Sequence, residues 1–142
     1  MKDPYMDTEL QVNRLFEDYK KYGRLIVAYD YDNTVFDYHK KGYHFPAVMH
    51  LLQKAKRLNC ELICFTASPP ERFSEIREYL EEWQVPCDKI NEQPDFAEKH
   101  NTRKVYYSIF LDDRAGLGQA VDVLCTTLMK IEKEIKQNEN RI

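Results

Sequence analysis

Two carboxylates one residue apart, Asp30 and Asp32, close an apolar run and are followed at once by an amide and a hydroxyl, Asn33 and Thr34. The run itself, Leu25-Ile26-Val27-Ala28-Tyr29, has the continuous apolar character of a buried strand, which puts the acids at the strand's C-terminal end. In an open parallel sheet, ligands bind in the crevice beyond the carboxyl ends of the strands, so groups presented there are placed to react. On a straight strand Asp30 and Asp32 share a side, and carboxylates so close repel unless a cation or a shared proton intervenes. A hard divalent ion such as Mg2+ relieves that repulsion. The plainer alternative is an ordinary turn at Asp32-Asn33-Thr34, with the aspartates capping the next segment.

An apolar run returns twice more, ended once by hydroxyl residues and once by a second pair of acids. Glu61-Leu62-Ile63-Cys64-Phe65 reads as a second buried strand and ends on Thr66, Ala67 and Ser68. Val105-Tyr106-Tyr107-Ser108-Ile109-Phe110-Leu111 reads as another, preceded by Lys104 and ended by Asp112-Asp113. Between the first two strands, Pro46 suits a first helical position, and Val48, Leu51, Leu52, Ala55 and Leu58 form one apolar face, which predicts a helix over 46–59. A strand, a helix and a strand in so short a span imply a parallel pair with a right-handed crossover, so Thr66 and Ser68 end near Asp30.

The remaining elements follow from capping and periodicity. A helix is predicted over 7–22, with Leu15, Phe16, Tyr19 and Tyr22 at helical spacing, Asp7 or Thr8 at its start and Gly23 at its end. Residues 35–44 are rich in aromatics around Lys40-Lys41-Gly42, which predicts a hairpin or flap beside the acids. Tyr38, His39 and His44 on that flap, with Thr34 at its base, are candidates to touch a substrate. Ser68-Pro69-Pro70-Glu71 has capping-box spacing and opens a helix whose stripe is Phe73, Ile76, Leu80 and Trp83. Free amides at that start, with Ser68 and Arg72, suit an anion such as phosphate. A short third strand over 85–90, a polar loop over 91–103 and a final helix over 116–137 complete the chain.

At 142 residues the chain is expected to be one domain, with 1–23 an N-terminal helix and 24–137 the core. Strands alternating with helices predict an α/β fold around a mainly parallel sheet. With 43% hydrophobic and 32% charged residues the composition is that of a soluble globular protein, and a net charge of −3 gives no broad basic footprint for nucleic acid. No apolar run approaches membrane-spanning length and the N-terminus lacks an apolar signal core, so a cytoplasmic location without membrane attachment is expected. Cys60, Cys64, Cys87 and Cys125 have neither C-x-x-C spacing nor the density of a disulfide scaffold, so they are expected to be free thiols.

Taken in order, these strand ends resemble the four motifs of the haloacid dehalogenase-like phosphatase superfamily. Asp30-Tyr31-Asp32-Asn33-Thr34 is similar to motif one, Thr66 after Ile63-Cys64-Phe65 to motif two, and Leu111-Asp112-Asp113 to motif four. For the motif-three lysine, Lys104, eight positions before Asp112, is similar in placement to small members, with Lys99 and Lys89 as alternatives. The resemblance spans roughly residues 24–120 and implies a Rossmann-like three-layer sandwich. It implies that Asp30 attacks phosphorus to give an aspartyl-phosphate, while Asp32 protonates the leaving oxygen and then activates water. Mg2+ is expected on Asp30, the backbone carbonyl of Asp32, and Asp112 or Asp113, with Thr66 and Lys104 on the phosphoryl oxygens.

The intervals where that superfamily inserts specificity domains are too short here to hold one, so no cap domain is expected. Members without a cap commonly act on bulky phosphorylated substrates, such as protein, nucleic-acid ends, nucleotides or large phosphosugars, or use another subunit as a lid; a homo-oligomer is therefore open. A response-regulator receiver shares the residue types but not their order along the chain, and a phosphomutase would carry a cap. A nucleotidase or phosphotransferase of the same fold, and a non-catalytic binding protein that kept it, are the alternatives to a phosphatase.

Overall fold

The computed structural model describes residues 3–96 and 105–141. A 3-10 turn at Pro4–Met6 leads into helix α1, Thr8–Tyr22. Asp7 accepts the Leu10 N–H at 3.1 Å, and Gly23 ends the helix at a left-handed φ of 81°. The helix thus begins and stops where the sequence supplies a cap and a residue free to turn. Val12 and Leu15 form its buried face and Phe16 and Tyr19 pack against the core, while Tyr22 is 63% exposed.

Strand β1 (Ile26–Asp30) is followed by α2 (Pro46–Arg57), β2 (Glu61–Phe65), α3 (Phe73–Glu82), β3 (Lys89–Ile90), β4 (Ile109–Leu111) and α4 (Leu117–Glu139). The strands form one sheet in the order β3-β2-β1-β4, and every pairing is parallel. Asp30 lies opposite Phe65, and Tyr29 opposite Leu111. Three strands therefore end along one edge of the sheet, and Asp30, Thr66 and Asp112 are delivered to it from separate parts of the chain. The protein is an α/β, Rossmann-like sandwich around a parallel sheet.

Period-two alternation divides the strands between two faces. Val27, Tyr29, Leu62, Cys64 and Leu111 join residues of all four helices in the main core, whereas Ile26, Ala28 and Ile63 face the other way and pack with Val105, Tyr107 and Phe110. The steps from β1 to β2 to β3 run in one direction, so right-handed crossovers place α2 and α3 on a single face. The step from β3 to β4 reverses direction, and Val105 and Tyr107, just before β4, pack on the second face.

Several local expectations change. The hairpin over 35–44 does not form: the Asp37 carboxylate accepts the N–H groups of Lys41, Gly42 and Tyr43, which folds the segment into a closed loop instead of a strand pair. The capping box at Ser68 does not form either. Pro69 precedes another proline and is held extended at ψ 157°, so the helical segment starts one residue later as a 3-10 turn, Pro70–Arg72, without a side-chain cap. Trp83 closes the α3 stripe at 43% exposure, not buried in the core. The third and fourth strands are shorter than the apolar runs that predicted them. Among the described residues, the intervals 35–60 and 67–96 hold loops, α2, α3 and β3, with no inserted domain.

Candidate active site

The site is built where β1 ends. Beyond Asp30 the chain doubles back: the Tyr31 carbonyl accepts the N–H groups of Thr34, Val35 and Phe36, and Asn33, at φ 61°, donates to the Phe36 carbonyl at 2.7 Å. Asparagine tolerates that left-handed conformation better than most residues. The turn swings Thr34 beneath the acids, fully buried, where its hydroxyl lies 3.5 Å from Asp30 Oδ2 and accepts the Asp113 N–H at 3.2 Å. Thr34 is thus an internal tie between the ends of β1 and β4, and its expected contact with substrate is replaced by this structural role.

Carboxylate oxygens of Asp30, Asp112 and Asp113 all lie within 4.8 Å of one another. Burial, reinforced by the charge of Asp112 and by a hydrogen bond with and the charge of Asp113, pushes the Asp30 carboxyl up to about 7. Burial also raises Asp32; the Arg72 charge opposes that rise and Asp113 adds to it. Asp32 Oδ1 is buried with no hydrogen-bond partner among the described residues. Three converging carboxylates form a hard, oxygen-only donor set that fits Mg2+. The Asp32 side chain stands outside the three-acid group.

The four acids open into a cavity of about 360 Å3 that Asn33, Tyr38, His39 and Arg114 also line. The Tyr38 and His39 rings meet edge to face at 5.1 Å on the loop that Asp37 closes. Burial tends to raise the Asp37 carboxyl, but the N–H groups of Lys41, Gly42 and Tyr43 outweigh it and hold the group below its ordinary value. His44 and Tyr43 point elsewhere. His44 lies beside Trp83 and Tyr43 beside Phe45, each with ring centroids 6.2 Å apart, and neither lines the cavity.

On the β2 side, Thr66 is 9% exposed and its hydroxyl accepts the Ser68 N–H at 3.1 Å. The Asn91 side chain faces the Thr66 backbone and bonds both its N–H and its carbonyl. Arg72 donates to Ser68 Oγ at 3.4 Å and has Glu75 at 3.7 Å. Thr66, Ser68 and Arg72 border the acids without lining the cavity. Lys104 and Lys99 lie outside the described residues, and Lys89 pairs with Asp95 at 2.9 Å.

The acids, Asn33 beside them and the Tyr38-His39 pair are visible in the sequence, whereas Asp37, Asn91 and Arg114 are not singled out by it. Arg114 was legible as the residue directly after the Asp112-Asp113 pair. Asn91 carried no signal beyond a polar residue following an apolar one.

No protein-family model and no curated protein matches the chain. Among solved structures, it is similar to that of a conserved protein coded by a locus from Bacteroides thetaiotaomicron, with a TM-score of 0.57 and 24% identity over 78% of this chain and 92% of the other. That likeness concerns the fold.

Proposed function

We propose that the protein is a Mg2+-dependent phosphomonoester hydrolase of the haloacid dehalogenase-like superfamily, a member without a cap, acting through an aspartyl-phosphate on Asp30. One observation carries this reading: Asp30 lines the cavity with carboxylate oxygens of Asp112 and Asp113 beside it, and burial together with their charges raises its carboxyl to about 7, a crowding of acids that a divalent cation would relieve. Phosphoryl transfer needs positioned charge and an in-line nucleophile more than any unusual group.

A bound Mg2+ supplies positive charge that keeps Asp30 ionised and offsets the phosphoryl oxygens. Asp30, Asp112 and Asp113 would hold it. An Asp30 oxygen forms the new bond to phosphorus as the ester oxygen leaves, and Asp32, its carboxyl raised by burial, gives that oxygen its proton. Asp32 then takes a proton from the water that cleaves the acyl phosphate, which restores both acids and releases inorganic phosphate. Thr34 holds the ends of β1 and β4 together throughout, and by the resemblance Thr66 and Lys104, with Lys99 as the alternative lysine, would contact the phosphoryl oxygens. Tyr38, His39 and Arg114 face the leaving group.

The test is hydrolysis of a small aryl phosphate with Mg2+ and after exhaustive chelation. Activity that vanishes with chelator and returns with Mg2+ is expected; full activity in the chelated protein would sink the metal assignment.

A further inference from the structure

Strand β3 is only two residues long, and beyond it the chain turns away: Asn91 sits at φ 56°, in the left-handed region. Its N–H still completes the ladder by donating to the Cys64 carbonyl at 3.0 Å. The next rung, opposite Thr66, has no β3 backbone to fill it. The Asn91 side chain fills it instead: Oδ1 accepts the Thr66 N–H at 2.8 Å and Nδ2 donates to the Thr66 carbonyl at 2.7 Å. A carboxamide carries the same donor and acceptor as a peptide group, so it can replace a strand neighbour at one residue.

We infer that Asn91 is a positioning residue for Thr66, its side-chain amide holding the end of β2 so that the Thr66 hydroxyl is presented at the fixed height that phosphate binding needs. The inference rests on the proposed hydrolase reading, which gives Thr66 its phosphoryl contact. It adds a residue that touches no substrate and acts only through Thr66. The two bonds hold the peptide groups on either side of the Thr66 Cα, which fixes the residue's orientation as well as its position, and both bonds are partly buried. Among side chains, asparagine alone combines a short planar amide with tolerance of the left-handed backbone. Aspartate keeps the acceptor but, when ionised, loses the donor and sets a charge against the Thr66 carbonyl.

A double-mutant cycle with Asn91→Ala, Thr66→Ala and the double variant separates this role from a purely structural one. Asn91→Ala is expected to lower kcat/KM on an aryl phosphate by about ten- to a hundredfold, the effect of misplacing a contact by a fraction of an ångström to one ångström. In the Thr66→Ala background the same change is expected to cost less than about threefold, because the group it positions is already gone. Thermal midpoints measured alongside should fall by similar amounts in both backgrounds.

Amide hydrogen exchange gives a readout that needs no turnover. The Thr66 N–H is expected to exchange at least about tenfold faster in Asn91→Ala, with Asn91→Asp intermediate at neutral pH and serving as the folded control should the alanine variant fail to fold. An equal fold-loss of kcat/KM in both backgrounds, unchanged activity in Asn91→Ala, or unchanged Thr66 exchange in the variants would each overturn the inference while leaving the hydrolase reading intact. Wild-type protein that neither hydrolyses an aryl phosphate nor binds inorganic phosphate with Mg2+ would overturn both.

Discussion

In the proposed mechanism Asp30 is both a nucleophile and part of a crowded acid group, and a bound cation would decide between its protonated and ionised states. Its carboxyl rises from 3.8 to about 7 on folding, so between those values the unfolded chain carries a charge that the folded protein resists. The folded protein therefore binds more protons across that window, and the metal-free form should lose stability as pH rises from about 4 to about 7. Asp30→Asn should flatten this slope and melt a few degrees above the metal-free wild type at pH 8, as thermal unfolding in a chelating buffer will show. A steeper slope in the variant would contradict the assignment. Turnover tests the role of Asp30 directly: Asp30→Asn should lose at least about a thousandfold in kcat, since an amide is a poor nucleophile.

At the level of elements, the loop that follows β1 lines the cavity beside the acids with Tyr38 and His39. Asp37 gathers three backbone N–H groups and so sets Tyr38 and His39 along the cavity, while His44 turns to Trp83. Asp37→Ala should therefore reduce kcat/KM on bulky phosphorylated substrates by about tenfold, and change the rate on a small aryl phosphate little. Tyr38→Ala and His39→Ala should shift relative rates between substrates, and His44→Ala should not. Competition assays with paired substrates will distinguish these outcomes, and uniform loss on all substrates would mean that the loop supports the fold. The hairpin expected here was illegible as a loop because aromatic residues around a Lys-Lys-Gly turn fit strands equally well, and nothing in the pattern announces that Asp37 will take the ladder's donors. The strand ends were legible for the opposite reason. An apolar run broken by two acids has few structural solutions, whether at Asp30 or at Asp112.

Across the whole molecule, one parallel sheet delivers groups from distant parts of the sequence to one edge, and the register of β1 with β2 and β4 fixes their order. Alternation of strands and helices made that architecture readable, whereas the pairing of Asn91 with Thr66 depends on how far β3 extends, which no periodicity records. Because the acids repel one another without a cation, Mg2+ should raise the thermal midpoint of the wild type in proportion to the logarithm of its concentration once sites fill. Asp112→Asn and Asp113→Asn should each blunt that rise. An undiminished rise in both variants, read by the same unfolding assay, would place the ion elsewhere. The claim on which everything else depends is the covalent step at Asp30. Acid-quenched Asp32→Asn protein, exposed to an aryl phosphate with Mg2+ and digested for mass spectrometry, is predicted to carry one phosphoryl group on the peptide that contains Asp30, and Asp30→Asn none. A turnover-competent wild type whose Asp32→Asn variant never accumulates that adduct, or carries it on another residue, would contradict the mechanism.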